Sequence, residues 1–451
     1  MADKGTHGDS RRNVSRRRLL KAGAAASAVG LAGCAGNRGG DGGGGGTTTA
    51  SDGGGETTTT KSGDGGDGGG GDTIRMVQFA PLSGPYSIFG KWVQRGGELA
   101  AKQINEEGGI NGKELKLEFA DSETDPNATV QKAKQYNNNG VDYFLHGVSS
   151  AVGAALQGWA ANNGAFVTID GDGATTITGS DCVSNAVRVN RNVSMGAYSL
   201  GVYAQDQFPD VSDYWFIGAD YNWGHTGVEY CKQIAKANGN NVVGESFAPL
   251  GTKDFSTYIN KIQNSSAKGL FVVVSGSDFI RFVNQATEYG LRDKLDIMLC
   301  TNAGDVDTSK ELGSMATGIA STTRWYFNAD YGTDGQSQFN QAWMDEYDSL
   351  PRGVGENAWA GLWMNKLVME EAGSTKVDDV VDTYPGFSWD SGRATIPRTI
   401  RECDHQAKQK IFVGQLTETD EYDFPILEGE TYDPAERKLI RDCSETGCNL
   451  G

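Results

Sequence analysis

Two serines, Ser149 and Ser150 in "HGVSSAV", stand where an apolar run gives way to a helical one. Their hydroxyls and backbone N–H groups could hold a carboxylate or amide oxygen, helped by the helix dipole. The same serine could simply cap the helix. "IDGDGATT" (169–176) follows another apolar run. There, Asp170 or Asp172 could take an ammonium or amide N–H, or close an Asx turn. Reactive patterns are absent: the chain holds no GxSxG, no HExxH and no P-loop lysine motif. "GVGENAWAG" (353–361) has glycines but follows no strand, so it is no dinucleotide fingerprint. The four histidines are widely separated and no CxxC spacing occurs, so neither a metal nor a cofactor is expected. His146 ends an apolar run and reads as a satisfied, partly buried side chain. The chemistry in view is binding rather than catalysis.

The ends of the chain say where such binding would happen. "SRRRLLK" (15–21) puts paired arginines before the apolar, Ala/Gly-rich "AGAAASAVGLAG", and "LAGC" places small residues before Cys34. The pattern resembles a twin-arginine export signal joined to a lipoprotein box. It predicts cleavage and lipidation at Cys34, and an anchor at the outer face of the cell membrane. Residues 35–72 hold 18 glycines among 38 residues and cannot bury enough apolar surface to fold. As a flexible tether they would span roughly 30–37 Å.

The net charge is −18, and residues 1–34 carry seven Lys/Arg against two Asp, so the remainder is more acidic still. No basic patch is visible, which argues against nucleic acid as a partner. Such acidity could serve a cationic ligand or a surface adapted to high salt, and the spread of the acids along the whole chain favours the second. Beyond Cys34 lie Cys182, Cys231, Cys300, Cys403, Cys443 and Cys448. An exported chain permits disulfides, and six cysteines allow fifteen pairings. Cys443 and Cys448 are close enough to close a small loop. Sequons at Asn127, Asn192 and Asn264 suit an exposed surface.

The elements that must position Ser149, Ser150 and the two aspartates alternate regularly from Thr73. Apolar runs at 74–80, 114–120, 141–147 and 165–169 read as strands, with helical spacing between them. Asp125-Pro126 reads as a helix N-cap followed by proline in the first turn. The rhythm restarts with strands at 213–219, 241–247, 269–275 and 296–301, after a crossover near 191–195. Short links between alternating strands and helices argue for parallel sheets covered on both faces, in two α/β lobes. "GIASTTRWYF" (318–327) and the later segments read as returns between lobes, with "RTIRECDHQAKQKIFVGQL" (398–416) as a final strand pair. The expected division is 73–192 for lobe 1, 193–322 for lobe 2, 323–385 back in lobe 1, 386–430 back in lobe 2, and 431–451 as a C-terminal tail. Ligands of open α/β sheets sit beyond the carboxyl ends of strands, and two such ends facing each other make a cleft.

At this level "PLSGPYSIFGKWVQRGGELAAKQINEEGGINGKELKLEFADSETDP" (81–126) closely resembles the opening of branched-chain-amino-acid-type periplasmic binding proteins. The resemblance continues through "HGVSSAV", "WGHTGVEY" and "LGTKDFSTYINKI", and covers roughly 74–415. It implies a type I periplasmic-binding-protein fold, with two doubly wound parallel-sheet lobes joined by a multi-strand hinge. It also implies a monomeric lipoprotein that captures a small polar solute and hands it to the membrane permease of an ABC importer. A ligand-sensing or surface-adhesion protein could use the same fold without transport.

By the same resemblance Ser149, Ser150, Asp170, Asp172 and Thr175 face the cleft. Tyr86 and Phe89 supply aromatics at its mouth, with Phe89 as core equally open. Trp223 stands where the family usually carries a tyrosine stacked over the ligand, and Asn302 and Asp305 follow another strand. Thr252 falls where amino-acid binders of the family carry an acid that accepts the ligand ammonium. A threonine cannot balance that charge. The expected solute is therefore an amino acid balanced by Asp170, Asp172 or Asp305, or else an amide or urea.

Overall fold

The computed structural model describes residues 73–450. The export signal, Cys34 and the tether lie outside the described residues. Lobe 1 is built on β1 (Thr73–Ala80), β2 (Glu114–Asp121), β3 (Tyr143–His146), β4 (Phe166–Ile169) and β5 (Ala186–Arg188). These pair in parallel in the order β2-β1-β3-β4-β5. β3 and β4 are buried along their whole length, as strands covered on both faces must be. Asp125 caps the helix Pro126–Asn138 by accepting from the Ala128 N–H at 2.8 Å, with proline at the first position.

Lobe 2 has a parallel core of β6 (Asp213–Ala219), β7 (Asn241–Ala248), β8 (Gly269–Val273), β9 (Ile297–Cys300) and β10 (Ile319–Thr323). The extended 318–327 segment is thus partly a lobe-2 strand rather than only a return. β11 (Ser388–Trp389), β12 (Arg398–Ile400) and β13 (Ala407–Gln409) form a separate antiparallel sheet, where a return to lobe 2 was expected. β14 (Ile411–Thr417) and β15 (Ile426–Tyr432) then close lobe 2 as antiparallel strands beside β10. The expected strand pair over 398–416 is therefore three strands in two sheets, divided at Lys410.

The helix Gly353–Ala372 returns to lobe 1 and packs on the helix Ser87–Glu106. Their backbones meet at Gly96 and Gly355. A Cβ on Gly96 would lie 1.9 Å from the Gly355 carbonyl oxygen, so only glycine fits. The chain passes between lobes at 189–192, near Arg324, and at Lys410. Gln409 ties these passages together, its Nε2 donating to Asn190 Oδ1 and to the Arg324 carbonyl, each at 3.3 Å. Asn192, one of the sequon residues, is buried and caps the helix Val193–Gln207, accepting from the Met195 N–H at 3.0 Å. It is not the exposed acceptor its sequence suggested.

The last segment is no loose tail. Cys448 bonds to Cys182 and Cys443 bonds to Cys403, so Cys443 and Cys448 do not close a loop with each other. Arg441 donates to the Tyr230 hydroxyl of lobe 2 (2.9 Å) and to the Thr175 carbonyl of lobe 1 (3.3 Å). Cys231 and Cys300 are unpaired and buried, and burial pushes both thiols up, Cys300 to about 12.

Candidate functional site

Parallel sheets place helix starts at the carboxyl ends of their strands. Four helices of this chain, after β1, β3, β6 and β8, therefore begin around one cleft, and the helix Gly353–Ala372, which follows another helix, begins there too. Their N-cap residues are Tyr86, Ser149, Tyr221, Ser275 and Arg352, ahead of helices starting at Ser87, Ser150, Asn222, Gly276 and Gly353. The cleft is lined by Tyr86, Phe89, Val148 and Val354 on one side, and by Tyr221, Trp223, Ser275, Asn302 and Arg324 on the other.

The Tyr86 and Tyr221 hydroxyls, one from each lobe, hydrogen-bond at 2.6 Å. Burial pushes both phenols well above their usual range. Trp223 is buried and lies against Gly173, where a Cβ would come within 2.6 Å of the indole nitrogen. The loop 170–174 thus needs glycine for the lobes to meet. Asn302 Nδ2 reaches Ser275 Oγ at 3.5 Å. The remaining cavity is about 10 Å³, room for about one water. A solute enters only when the lobes part.

Arg324 follows β10 and is 8% exposed. Its guanidinium makes no hydrogen bond or ion pair among the described residues. Burial pulls its pKa below the usual range, while Asp172, Tyr221 and Asp170 favour its charged form. Asp278, in the first turn of the helix Gly276–Glu288, is already neutralised. It pairs with Arg281 and accepts from the Gly251 N–H at 2.7 Å.

Of the residues expected at the site, Tyr86, Phe89, Trp223 and Asn302 line the cleft. The others do not. Ser149 is buried with no capping bond from its side chain, and Ser150 Oγ accepts from the Gly173 and Ala174 N–H groups at 3.1 and 3.0 Å. Its hydroxyl holds the neighbouring loop, and Val148, at φ 91°, takes the lining position. Asp170 and Asp172 belong to that loop but their side chains are buried. Asp170 Oδ2 accepts from Gln78 at 3.0 Å, and Asp172 Oδ2 meets His146 Nδ1 at 2.8 Å. His146 is wholly buried rather than partly so.

Thr175 opens a short turn in a different groove, with Arg441. Asp305 caps the helix Val306–Leu312, accepting from the Asp307 N–H at 3.0 Å. Thr252 Oγ1 donates to the Pro249 carbonyl at 2.6 Å and closes a turn. Thr252→Glu is therefore expected to change solute affinity less than twofold by calorimetry. A larger change would place this loop in the cleft. Sequence reading missed Val148, Tyr221, Ser275, Val354 and Arg324. Only "DYNWG", beside the expected Trp223, gave any signal.

Burial pushes the Asp170 carboxyl up to about 7, with Asp172 adding to the rise and Gln78, His146 and Arg324 opposing it. Between roughly pH 4 and 7 the folded chain keeps a proton that the unfolded chain has lost. This group's contribution to stability falls as pH rises across that window. Asp170→Asn is expected to gain about 1–3 kcal/mol over wild type at pH 8 and almost nothing at pH 4, read from urea unfolding at both. An equal gain at both pH values would exclude titration as the cause.

Two lobes whose strand ends face each other across a small polar and aromatic cleft define a solute-binding protein. The chain belongs to the periplasmic binding protein family, whose model matches residues 73–421. It is similar to the Leu/Ile/Val-binding protein BraC3 of Rhizobium johnstonii, 26% identical over 310 residues, covering 67% of this chain and 81% of that one. In fold it is similar to the closed Leu-, Ile-, Val-, Thr- and Ala-binding protein of Brucella ovis (TM-score 0.73, 20% identity, 84% of this chain and 99% of that one). It is equally similar to an ABC-transporter solute-binding protein of Rhodopseudomonas palustris HaA2 in complex with p-hydroxybenzoic acid (TM-score 0.73, 19% identity, 80% and 97%). The type I fold is thereby shown. The family and its relatives bind substrates and are not enzymes. Among the described residues no helix is long and apolar enough to cross a membrane.

Proposed function

We propose that this chain captures a small solute outside the cytoplasm, held to the membrane by lipid on Cys34, and delivers it to the permease of an ABC importer. The observation that carries this reading is the Tyr86–Tyr221 hydrogen bond between lobes, over a cavity that only lobe opening can load. Closure removes water and strengthens the few polar contacts inside. The two disulfides suit an oxidising compartment, and the similarity to transporter-linked binding proteins supports delivery to a permease.

The test is a thermal-shift screen of the detergent-solubilised full chain in high salt against amino acids, amides, urea and organic acids. A solute at 100 times its dissociation constant adds about 2.7 kcal/mol of stability. Silence across the screen would sink the capture reading. Cys34→Ala is expected to release the chain from the membrane fraction.

A further inference from the structure

We infer that the solute is a small monocarboxylate with a flat apolar body and no ammonium group, its carboxylate seated on Arg324. This rests on the capture reading above and names the solute class for the same cleft. Three independent observations carry it.

The first is charge. Among the described residues lining the cleft, Arg324 is the single charged side chain. It is more than nine-tenths buried and has no partner of its own. Asp172 and Asp170 favour its charge without touching it. A buried guanidinium whose N–H groups have no acceptor is costly, and a planar fork of donors matches a carboxylate in two parallel hydrogen bonds.

The second is the backbone field. Five helices of eleven or more residues start around this cleft, and each directs its positive end towards it. The field and the guanidinium favour one negative charge together.

The third is the absence of a seat for a cation. Among the described residues no carboxylate lines the cleft. Asp170 and Asp172 turn inwards with essentially no exposed surface, held by Gln78 and His146. Asp278 is occupied by Arg281 and the Gly251 N–H. An α-amino acid would bury its ammonium beside Arg324 with nothing to balance it. A neutral amide or urea would leave the guanidinium unmatched. Of the eight other lining residues, six are the rings of Tyr86, Phe89, Tyr221 and Trp223 and the side chains of Val148 and Val354, which suit a flat apolar body; Ser275 and Asn302 are the polar ones.

The test is calorimetry on the full chain with benzoate, benzamide, phenylalanine, leucine and urea, repeated on Arg324→Gln and Arg324→Lys. Benzoate is expected to bind at least tenfold more tightly than benzamide or phenylalanine. Arg324→Gln is expected to lose at least tenfold for benzoate while benzamide stays within about threefold, which also shows that the variant folds. Arg324→Lys should recover part of the loss, since it keeps the charge without the fork. Phenylalanine or leucine binding more tightly than benzoate overturns the proposal, as does wild-type benzoate affinity in Arg324→Gln. Absence of benzoate binding overturns it too. The capture reading is then judged separately, on leucine, urea and benzamide.

Discussion

Glu356→Ala is expected to lower stability by about 3–5 kcal/mol in urea or thermal unfolding, among the largest losses a single side chain here can cause. Glu356 lies in the first turn of the helix Gly353–Ala372 and is fully buried. Its Oε1 accepts from Arg398 Nη2 at 2.7 Å and from the Thr395 hydroxyl. Arg398 belongs to β12 of the small sheet, and its Nε already lacks a hydrogen-bond partner. Removing the acid leaves a whole guanidinium charge buried without a counter-ion. The penalty is that stranded charge more than the lost bond. Replacing both residues together, as Glu356→Leu with Arg398→Met, should therefore cost less than Glu356→Ala alone. A loss under 1 kcal/mol for the single change would mean that water reaches the pair.

Cys448→Ser is the second large effect. The Cys182–Cys448 bond joins residues 266 apart, against 40 for Cys403–Cys443. A cross-link stabilises mainly by restricting the unfolded chain. That restriction grows slowly with loop length, to about 5.6 kcal/mol for the long loop and about 3.9 for the short one. Cys448→Ser should thus be destabilised by about 3–5 kcal/mol, slightly more than Cys403→Ser. Unfolding without reductant, compared with reduced wild type, measures both. The reverse ranking would show that the long loop is already constrained when unfolded.

The sequence displayed the parallel core well because two-sided burial demands unbroken apolar runs. "YFLH" and "FVTI" can hardly be read otherwise. The small sheet was not legible. β11, β12 and β13 are two or three residues long and owe their existence to partners far along the chain. Disulfide pairing failed for the same reason, since nearness in sequence joined Cys443 to Cys448 while the fold carries them to different partners.

The site was half legible. Tyr86 and Trp223 could be placed because loop position decides which aromatics meet between lobes. Ser150 could not, because the direction of one hydroxyl separates a ligand contact from a loop support. Arg324 was invisible. A single arginine after a strand is ordinary in sequence, and its meaning lies in the partner it lacks.

The closing segment ties both lobes, through Arg441 and the Cys182–Cys448 bond, beside a cleft that must open to load. Such a leash trims the range of open shapes the protein can explore. Fewer open shapes mean less entropy lost on closing, so the same contacts hold a solute more tightly and for longer. On the capture reading, eighteen residues outside the cleft lining (433–450) would thus lengthen the time a solute is retained.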